Sequence, residues 1–261
     1  MSQRPEWNAE RYHQLSSPQQ AWGGRVLDRL PLDGHERVLD LGCGTGRITS
    51  ELAARVPRGR VVGFDRSEAM LRTASAWLRE RNPRVPLVLG DGAALPFRRT
   101  FDAIFSNATF HWIHDHPALF RSIITALKPG GRLVAQCGGG ANLAVLLGRA
   151  GQLMREPCFA AYFDEWSEPT YFSDAETAAR RMRAAGFEDV ETSIEAAPTS
   201  FDAPAEFQEF IANVCVRHHL ARLPVREREF YLRELTVAAA GDAPPLTLDY
   251  WRLNLSGRRP A

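Results

Sequence analysis

The chain has almost no lysine: of its 32 basic residues only Lys128 is one, and the rest are arginine. The base composition of a GC-rich genome accounts for that bias. Runs such as Arg79–Arg84 and Arg226–Arg233 read as solvated helix faces rather than a binding stripe. The formal net charge of +1 gives no case for an obligate nucleic-acid partner. Cysteine is scarce and scattered. Cys43, Cys137, Cys158 and Cys215 form no C-x-x-C pair, so free thiols in a reducing compartment are expected. No apolar run approaches the ~20 residues a membrane helix needs, and the first residues lack the apolar core of a signal peptide. The expectation is a cytoplasmic protein with no membrane partner. No internal repeat or low-complexity tract interrupts 261 residues, a length that suits one α/β domain with a small cap.

What is present is glycine at every second position of one loop. Val38-Leu39-Asp40-Leu41-Gly42-Cys43-Gly44-Thr45-Gly46 carries a buried strand (37–41) into that loop, and a helical stretch at 47–56 follows. Glycines there let the backbone turn tightly and let a ligand lie on it. Nineteen residues after Gly46, Asp65 ends a second apolar run, where an acid takes the hydroxyls of a ribose. A nucleoside-like cofactor is the first inference. The dinucleotide fingerprint G-x-G-x-x-G is incomplete, because its last position falls on Arg47 or Thr49. The phosphate loop G-x-x-x-x-G-K-[ST] is absent as well. Asp40 would repel a pyrophosphate but suits a cation, which points to S-adenosylmethionine, a sulfonium without phosphate.

The residues beyond the loop resemble the class I S-adenosylmethionine-dependent methyltransferases. Gly90-Asp91-Gly92-Ala93-Ala94-Leu95-Pro96-Phe97 resembles the loop whose acid takes the adenine amino group. Phe101–Asn107 resembles the fourth strand, which ends at the methyl group, and Leu127–Leu133 the turn into the fifth. With Asp40 and Asp65, these signals follow the family order over residues 35–137. The resemblance implies a Rossmann-like, seven-stranded, mostly parallel sheet with helices on both faces, an antiparallel last strand and a small helical cap. It implies S-adenosylmethionine as cofactor and S-adenosylhomocysteine as product. The implied cofactor residues are Tyr12, Asp40, Gly42, Cys43, Gly44, Gly46, Asp65, Arg66, Met70, Asp91, Gly92, Ala93 and Asn107. Cys43 reads as a tolerated small side chain and Cys137 as a buried apolar one. The dispersed thiols do not suit a thiol-dependent arsenic methyltransferase.

Pattern divides the rest of the chain. Residues 1–34 form a helical lid segment with Trp7, Tyr12 and Trp22, and 35–137 form the cofactor core. A helix is predicted from Ser67, the cap, to Arg81, with Met70, Leu71, Ala74, Trp77 and Leu78 on the sheet side. Another is predicted over 117–128. Gly138-Gly139-Gly140 reads as a flexible joint. A capped helix is expected from Ser173 to Ala185, a strand over 189–196, helix over 204–240 broken near Pro224, and one alternating strand over 246–255. Segments 138–172 and 200–243 are then cap insertions that roof the site, and 173–199 with 244–261 completes the core sheet.

Methyl transfer from a sulfonium asks mainly for alignment, which can supply roughly 7–11 kcal/mol of a barrier. A carboxylic acid arrives ionised and needs no base, whereas a phenol, with a pKa of about 10, gains from one. His111, just after the fourth strand, is the candidate base, or else an orienting or purely structural residue. His111, His114 and His116 are spaced too irregularly to predict a metal site, and His218 and His219 point to different helix faces. Trp7, Tyr12, Asn107–Trp112 and Asp115-His116 resemble the carboxyl-methylating branch of trans-aconitate and malonyl-carrier-protein methyltransferases. His111 departs from that branch, where a polar amide is expected. Trp7, His111, Trp112 and Tyr162 are the acceptor candidates. The acceptor is expected to be a small molecule, a carboxylate either free or carrier-protein-bound. An O- or N-methyltransferase of natural products using His111 as base stands beside that reading, as does a non-catalytic cofactor-binding module. A nucleic-acid methyltransferase would carry Asn/Asp-Pro-Pro-Tyr/Phe where Asn107-Ala108-Thr109-Phe110 stands. Monomer and dimer are both open.

Overall fold

A computed structural model describes residues 9–15 and 17–261; the Trp7 expectation lies outside them. Two helices, α1 (Ala9–Leu15) and α2 (Ser17–Asp28), precede alternating strands and helices: β1 (Arg37–Leu41), α3 (Arg47–Arg55), β2 (Arg60–Asp65), α4 (Glu68–Arg81), β3 (Leu87–Leu89), β4 (Phe101–Asn107), α5 (His116–Ala126) and β5 (Leu127–Gly138). There follow α6 (Ala144–Leu153), α7 (Ala175–Ala184), β6 (Glu188–Ala196), β7 (Thr199–Ser200), α8 (Pro204–Phe210), α9 (Arg217–Leu220), α10 (Val225–Ala240), β8 (Thr247–Leu248) and β9 (Trp251–Arg258). The seven-stranded sheet has the order β3-β2-β1-β4-β5-β9-β6. β9 runs antiparallel to both its neighbours and every other pairing is parallel, so the expected sheet is the observed one.

Alternation along the strands builds two cores. Leu39 and Leu41 of β1 face Leu119, Phe120 and Ile123 of α5 and Met182 of α7. Val38 faces Leu27 of α2 and Leu52 of α3. Asp40 shares the side of Val38 by period two, which turns its carboxylate toward α3. A third buried cluster joins residues 143–163 and 207–248 to Trp22 and Tyr250. No helix among the described residues is long and apolar enough to cross a membrane.

Several local expectations are corrected. The cap of α7 is Asp174, whose side chain accepts the Thr177 N–H, and not Ser173. Gly138–Gly140 is not a loose joint: Gly139 donates to Trp251 and Gly140 to Ser173, and a Cβ on Gly138 would stand 2.8 Å from Phe172. The helix over 117–128 ends at Ala126, because Lys128 joins β5 and places its Nζ 2.8 and 2.9 Å from the Asp102 carboxylate. The stretch 204–240 is more broken than expected, with a π-helical turn at Ile211–Cys215 and the short α9 before Pro224. The expected single strand over 246–255 is two strands. β8 pairs with β7, and β9 starts only at Trp251, because Asp249 turns away to accept the Val145 N–H.

Candidate active site

The cofactor candidates converge at the C-terminal ends of β1, β2 and β4, around an open cleft. Gly42, with φ at 81°, occupies the left-handed region. A Cβ there would overlap the side chain of Thr109, whose hydroxyl donates to the Asn107 carbonyl at 3.0 Å. Glycine at 42 thus follows from both conformation and contact. Asp65 ends β2 with its two carboxylate oxygens divided. Oδ2 accepts the Gly44 N–H at 2.9 Å and Oδ1 the Ser67 N–H at 2.9 Å. Burial raises its pKa, while these backbone donors and Arg66 oppose the rise. Asp65 lines the cleft, and the acceptor capacity left on its two oxygens is what the hydroxyls of a vicinal diol need. Asp91 caps the short turn Gly92–Ala94 by accepting the Ala93 N–H at 2.9 Å and lines the same cleft with Gly92, Arg66, Met70 and Asn107. Ala93 packs against the core and supports the turn.

Asp40, Cys43 and Gly44 line an adjoining pocket with Tyr12, Thr45, Arg47 and Asn107. Asp40 Oδ2 accepts the Thr49 hydroxyl at 2.6 Å, and burial pushes its pKa up to about 7. Burial also drives the Cys43 thiol well above its usual value, leaving it inert. Gly46 does not line the cleft; it starts α3 with φ at 81° and packs on Ala74 and Leu78 of α4.

A second chamber adjoins the cleft, sharing Tyr12, Ala108 and Trp112 with it. Its other walls are His111, Asn142, Leu143, Leu147, Thr170, Phe172, Val214, Cys215, Tyr250 and Arg252. Tyr12 lies at the junction of all three cavities. Its helix is fastened on two sides. His13 Nδ1 lies 2.8 Å from the Thr45 hydroxyl and its Nε2 accepts from Arg47 at 3.2 Å. Arg11 pairs with Glu209 of α8.

His111 enters the chamber, but its ring is already committed. Nδ1 accepts the Gly138 N–H at 3.3 Å, so the proton of the neutral ring sits on Nε2. Burial, with Arg252 beside it, lowers the pKa to about 3. His116 leaves the group entirely: its Nε2 bonds the Phe110 carbonyl at 3.1 Å. Among the described residues no group of three or more His, Cys, Asp or Glu side chains could hold a metal ion. His219 packs against Trp166 and His218 against Trp112. Tyr162, an acceptor candidate in the sequence, does not line this chamber. It sits half-buried on the turn Ala160–Tyr162 and packs against the helical cluster. Sequence reasoning missed Arg252, Tyr250 and Asn142. An arginine inside a strand buried on both faces was the one available signal for the first of them.

The Methyltransferase domain family matches residues 38–131. The chain is similar to a trans-aconitate 2-methyltransferase of Methylobacterium radiotolerans, 37% identical over 131 residues, which are 50% of this chain and 49% of that protein. It spans about half the length of several such curated relatives. The similarity to the trans-aconitate 2-methyltransferase of Methylobacterium nodulans is longer: 33% identity over 201 residues, 76% of this chain and 70% of that protein. In fold, the chain is similar to phosphoethanolamine N-methyltransferase 2 of Haemonchus contortus, solved with S-adenosyl-L-methionine. The TM-score is 0.63 at 21% identity, over 97% of this chain and 57% of that one.

Proposed function

As the chain belongs to the class I S-adenosylmethionine-dependent methyltransferase family, we propose that it transfers a methyl group from S-adenosylmethionine to a carboxylate oxygen of a small acid, free or carrier-bound. The cofactor fits the residues present: Asp65 for the ribose hydroxyls, Asp91 for the adenine amino group and Asp40 for the cationic amino-acid end. When bound, it supplies a methyl already activated on a sulfonium. The chain's own work is to orient the acceptor and exclude water. We assign the lid to residues 1–34, with Tyr12 at the cavity junction, and the roof to 138–172 and 200–243, which supply Leu143, Leu147, Thr170, Phe172, Val214 and Cys215 to the chamber walls.

The observation that favours a carboxylate over a phenol is the state of His111. Its one lone pair on nitrogen is taken by the Gly138 N–H, and a ring with a pKa of about 3 is too weak a base for a phenol. The other titratable chamber groups are no better placed, since burial raises Tyr12 and Cys215 to about 12 and Tyr250 well above its usual value. Nε2–H is a donor, suited to orienting an anionic acceptor. The names of the curated relatives, trans-aconitate 2-methyltransferases, support the same class.

Methyl release from labelled S-adenosylmethionine, measured over acids (trans-aconitate among them), phenols and amines, tests the proposal. Turnover confined to carboxylic acids is the expected result. Turnover of phenols or amines alone favours the base reading, and cofactor binding with no turnover favours the binding module. His111→Asn is expected to keep kcat within about tenfold, since a general base supplies on the order of 10²–10⁴. kcat at saturating cofactor is expected to be flat from about pH 5 to 8, above both the His111 and the acceptor pKa.

A further inference from the structure

Among the described residues Arg252 is the one cation that lines the chamber, and no carboxylate lies within ion-pair distance of it; the exposed Glu195, opposite it on β6, attracts it from further off. It lies on β9, is 2% exposed, and among the described residues its Nη2 has no hydrogen-bond partner. Nε is aimed by a single bond to Gln136 Oε1, 3.3 Å away. Gln136 is itself fixed because its amide nitrogen donates to Asn254 at 2.8 Å and to Glu195 at 3.2 Å. Arg29 completes the brace with a 2.7 Å bond to Asn254. The guanidinium lies over the Trp22 ring, 4.4 Å from its centre, and no carboxylate pairs with it among the described residues. Burial pulls its pKa down, yet an arginine stays charged in proteins. A buried cation without a directly paired anion is expensive, and a planar fork with an open arm is the geometry that receives a carboxylate.

We infer that Arg252 anchors a second carboxylate of the acceptor, one that is not methylated, so that the acceptor is at least a diacid. The inference rests on the methyl-transfer reading above. Its geometry comes from the sheet. Asn107 and Ala108, where the cofactor cleft meets the chamber, stand at the end of β4. β9 is two strands away across β5, about 10 Å at the usual spacing between strands. An acceptor filling the chamber has its reacting oxygen at the Tyr12, Ala108 and Trp112 end and its anchored anion at the Arg252 end. The anchored group cannot be the reacting one. An ion pair would blunt its nucleophilicity, and esterifying it would leave Arg252 buried and unpaired in the product.

Charge balance agrees. Before transfer, Arg252 and a sulfonium face two carboxylates. During transfer the acceptor oxygen gains the methyl carbon as the sulfur–carbon bond breaks, and the electron pair of that bond stays on sulfur. No proton moves. Afterwards Arg252 faces one carboxylate, beside a neutral ester and a neutral thioether. The chamber is neutral in both states, which a monoacid would not achieve.

The test is binding, with glutarate against butyrate and monomethyl glutarate as probes, titrated calorimetrically into the protein loaded with S-adenosylhomocysteine. Glutarate is expected to bind at least tenfold more tightly than butyrate, and monomethyl glutarate to fall to the level of butyrate. Arg252→Gln and Arg252→Met are expected to erase the difference while leaving S-adenosylhomocysteine affinity unchanged; Arg252→Lys is expected to restore part of it. The melting temperature of ligand-free Arg252→Met is expected not to fall, because an unpaired buried charge has been removed, whereas a purely structural arginine would lower it. Equal binding of all three probes, no acid binding at all, or a glutarate preference that survives Arg252→Gln overturns the inference. Transfer to monoacids without acid-pair discrimination would sink it while leaving the methyl-transfer reading intact. Failure of S-adenosylhomocysteine to bind the wild type would sink that reading instead.

Discussion

Asp65→Ala is expected to weaken S-adenosylmethionine binding by at least a hundredfold. Each of the two carboxylate oxygens already holds one backbone N–H, from Gly44 and from Ser67. Asp65 lines the cleft, and in the proposed role its remaining lone pairs accept two ribose hydroxyls. Hydrogen bonds to a charged group contribute about 1.5–3 kcal/mol each, so two lost together amount to about two to four powers of ten. Alanine also frees the Gly44 N–H, which loosens the glycine loop on which the cofactor would lie. Asp65→Asn keeps one acceptor oxygen and is expected to fall between wild type and alanine. Calorimetric titration of the three proteins decides the matter. Equal affinity for wild type and alanine would remove the ribose role from Asp65 and, with it, the main support for the cofactor site. Burial holds the Asp65 pKa above the usual carboxylate range, so its protonation at low pH is expected to mimic the alanine change.

The cofactor half of this site was legible because its chemistry is local in sequence. A strand, a glycine turn and an acid at the next strand end are each readable within a few residues, and parallel strands bring their C-terminal ends together without further instruction. The seven-stranded, mostly parallel sheet followed from the family resemblance that these local motifs carry. The proposed acceptor half is assembled from distant pieces: Tyr12 from α1, His111 after β4, Asn142 before α6, Phe172 before α7, Cys215 from a π-helical turn, and Arg252 from the last strand. None of these carries a spacing rule. Tyr162, an acceptor candidate in the sequence, sits on a turn of 3-10 helix and packs against the helical cluster. His111 lines the chamber, yet its chemistry depends on the N–H of Gly138, contributed by another strand, which no pattern around residue 111 can announce. Hydropathy alternation ran through Leu246–Leu255 as one strand because Asp249 and Tyr250 preserve the period. The break appears only once Asp249 meets the start of α6.

Asp40→Asn is expected to stabilise the ligand-free protein and to weaken cofactor binding together. Asp40 is 2% exposed. Burial is the main cause that raises its pKa from 3.8 to about 7; the Thr49 hydroxyl opposes the rise and the nearby Asp65 charge adds to it. The sign follows from linkage. The folded protein holds this proton more tightly than the unfolded chain, so stability is highest below the unfolded value of 3.8 and falls as pH rises toward 7, with no further change above. A shift of about three units corresponds to about 4 kcal/mol at most. An amide still accepts the Thr49 hydroxyl and carries no charge. At about pH 8 the variant's melting temperature is therefore expected to exceed that of the wild type by up to roughly 10 °C, at about 2–4 °C per kcal/mol for a chain of this size, and the two are expected to converge near pH 4. Cofactor binding moves the other way. The ammonium end of S-adenosylmethionine favours ionised Asp40, so wild-type affinity is expected to rise through pH 7, and Asp40→Asn to bind more weakly with that rise removed. Melting curves and titrations across this pH range read both effects. A variant less stable than wild type at pH 8, or a wild-type affinity that is flat between about pH 6 and 8, would show that Asp40 serves the fold and not the cation. The expected pairing, stability surrendered for a charge that only the cofactor neutralises, is the usual trade at a binding site, and Arg252 repeats it with the opposite sign at the acceptor end.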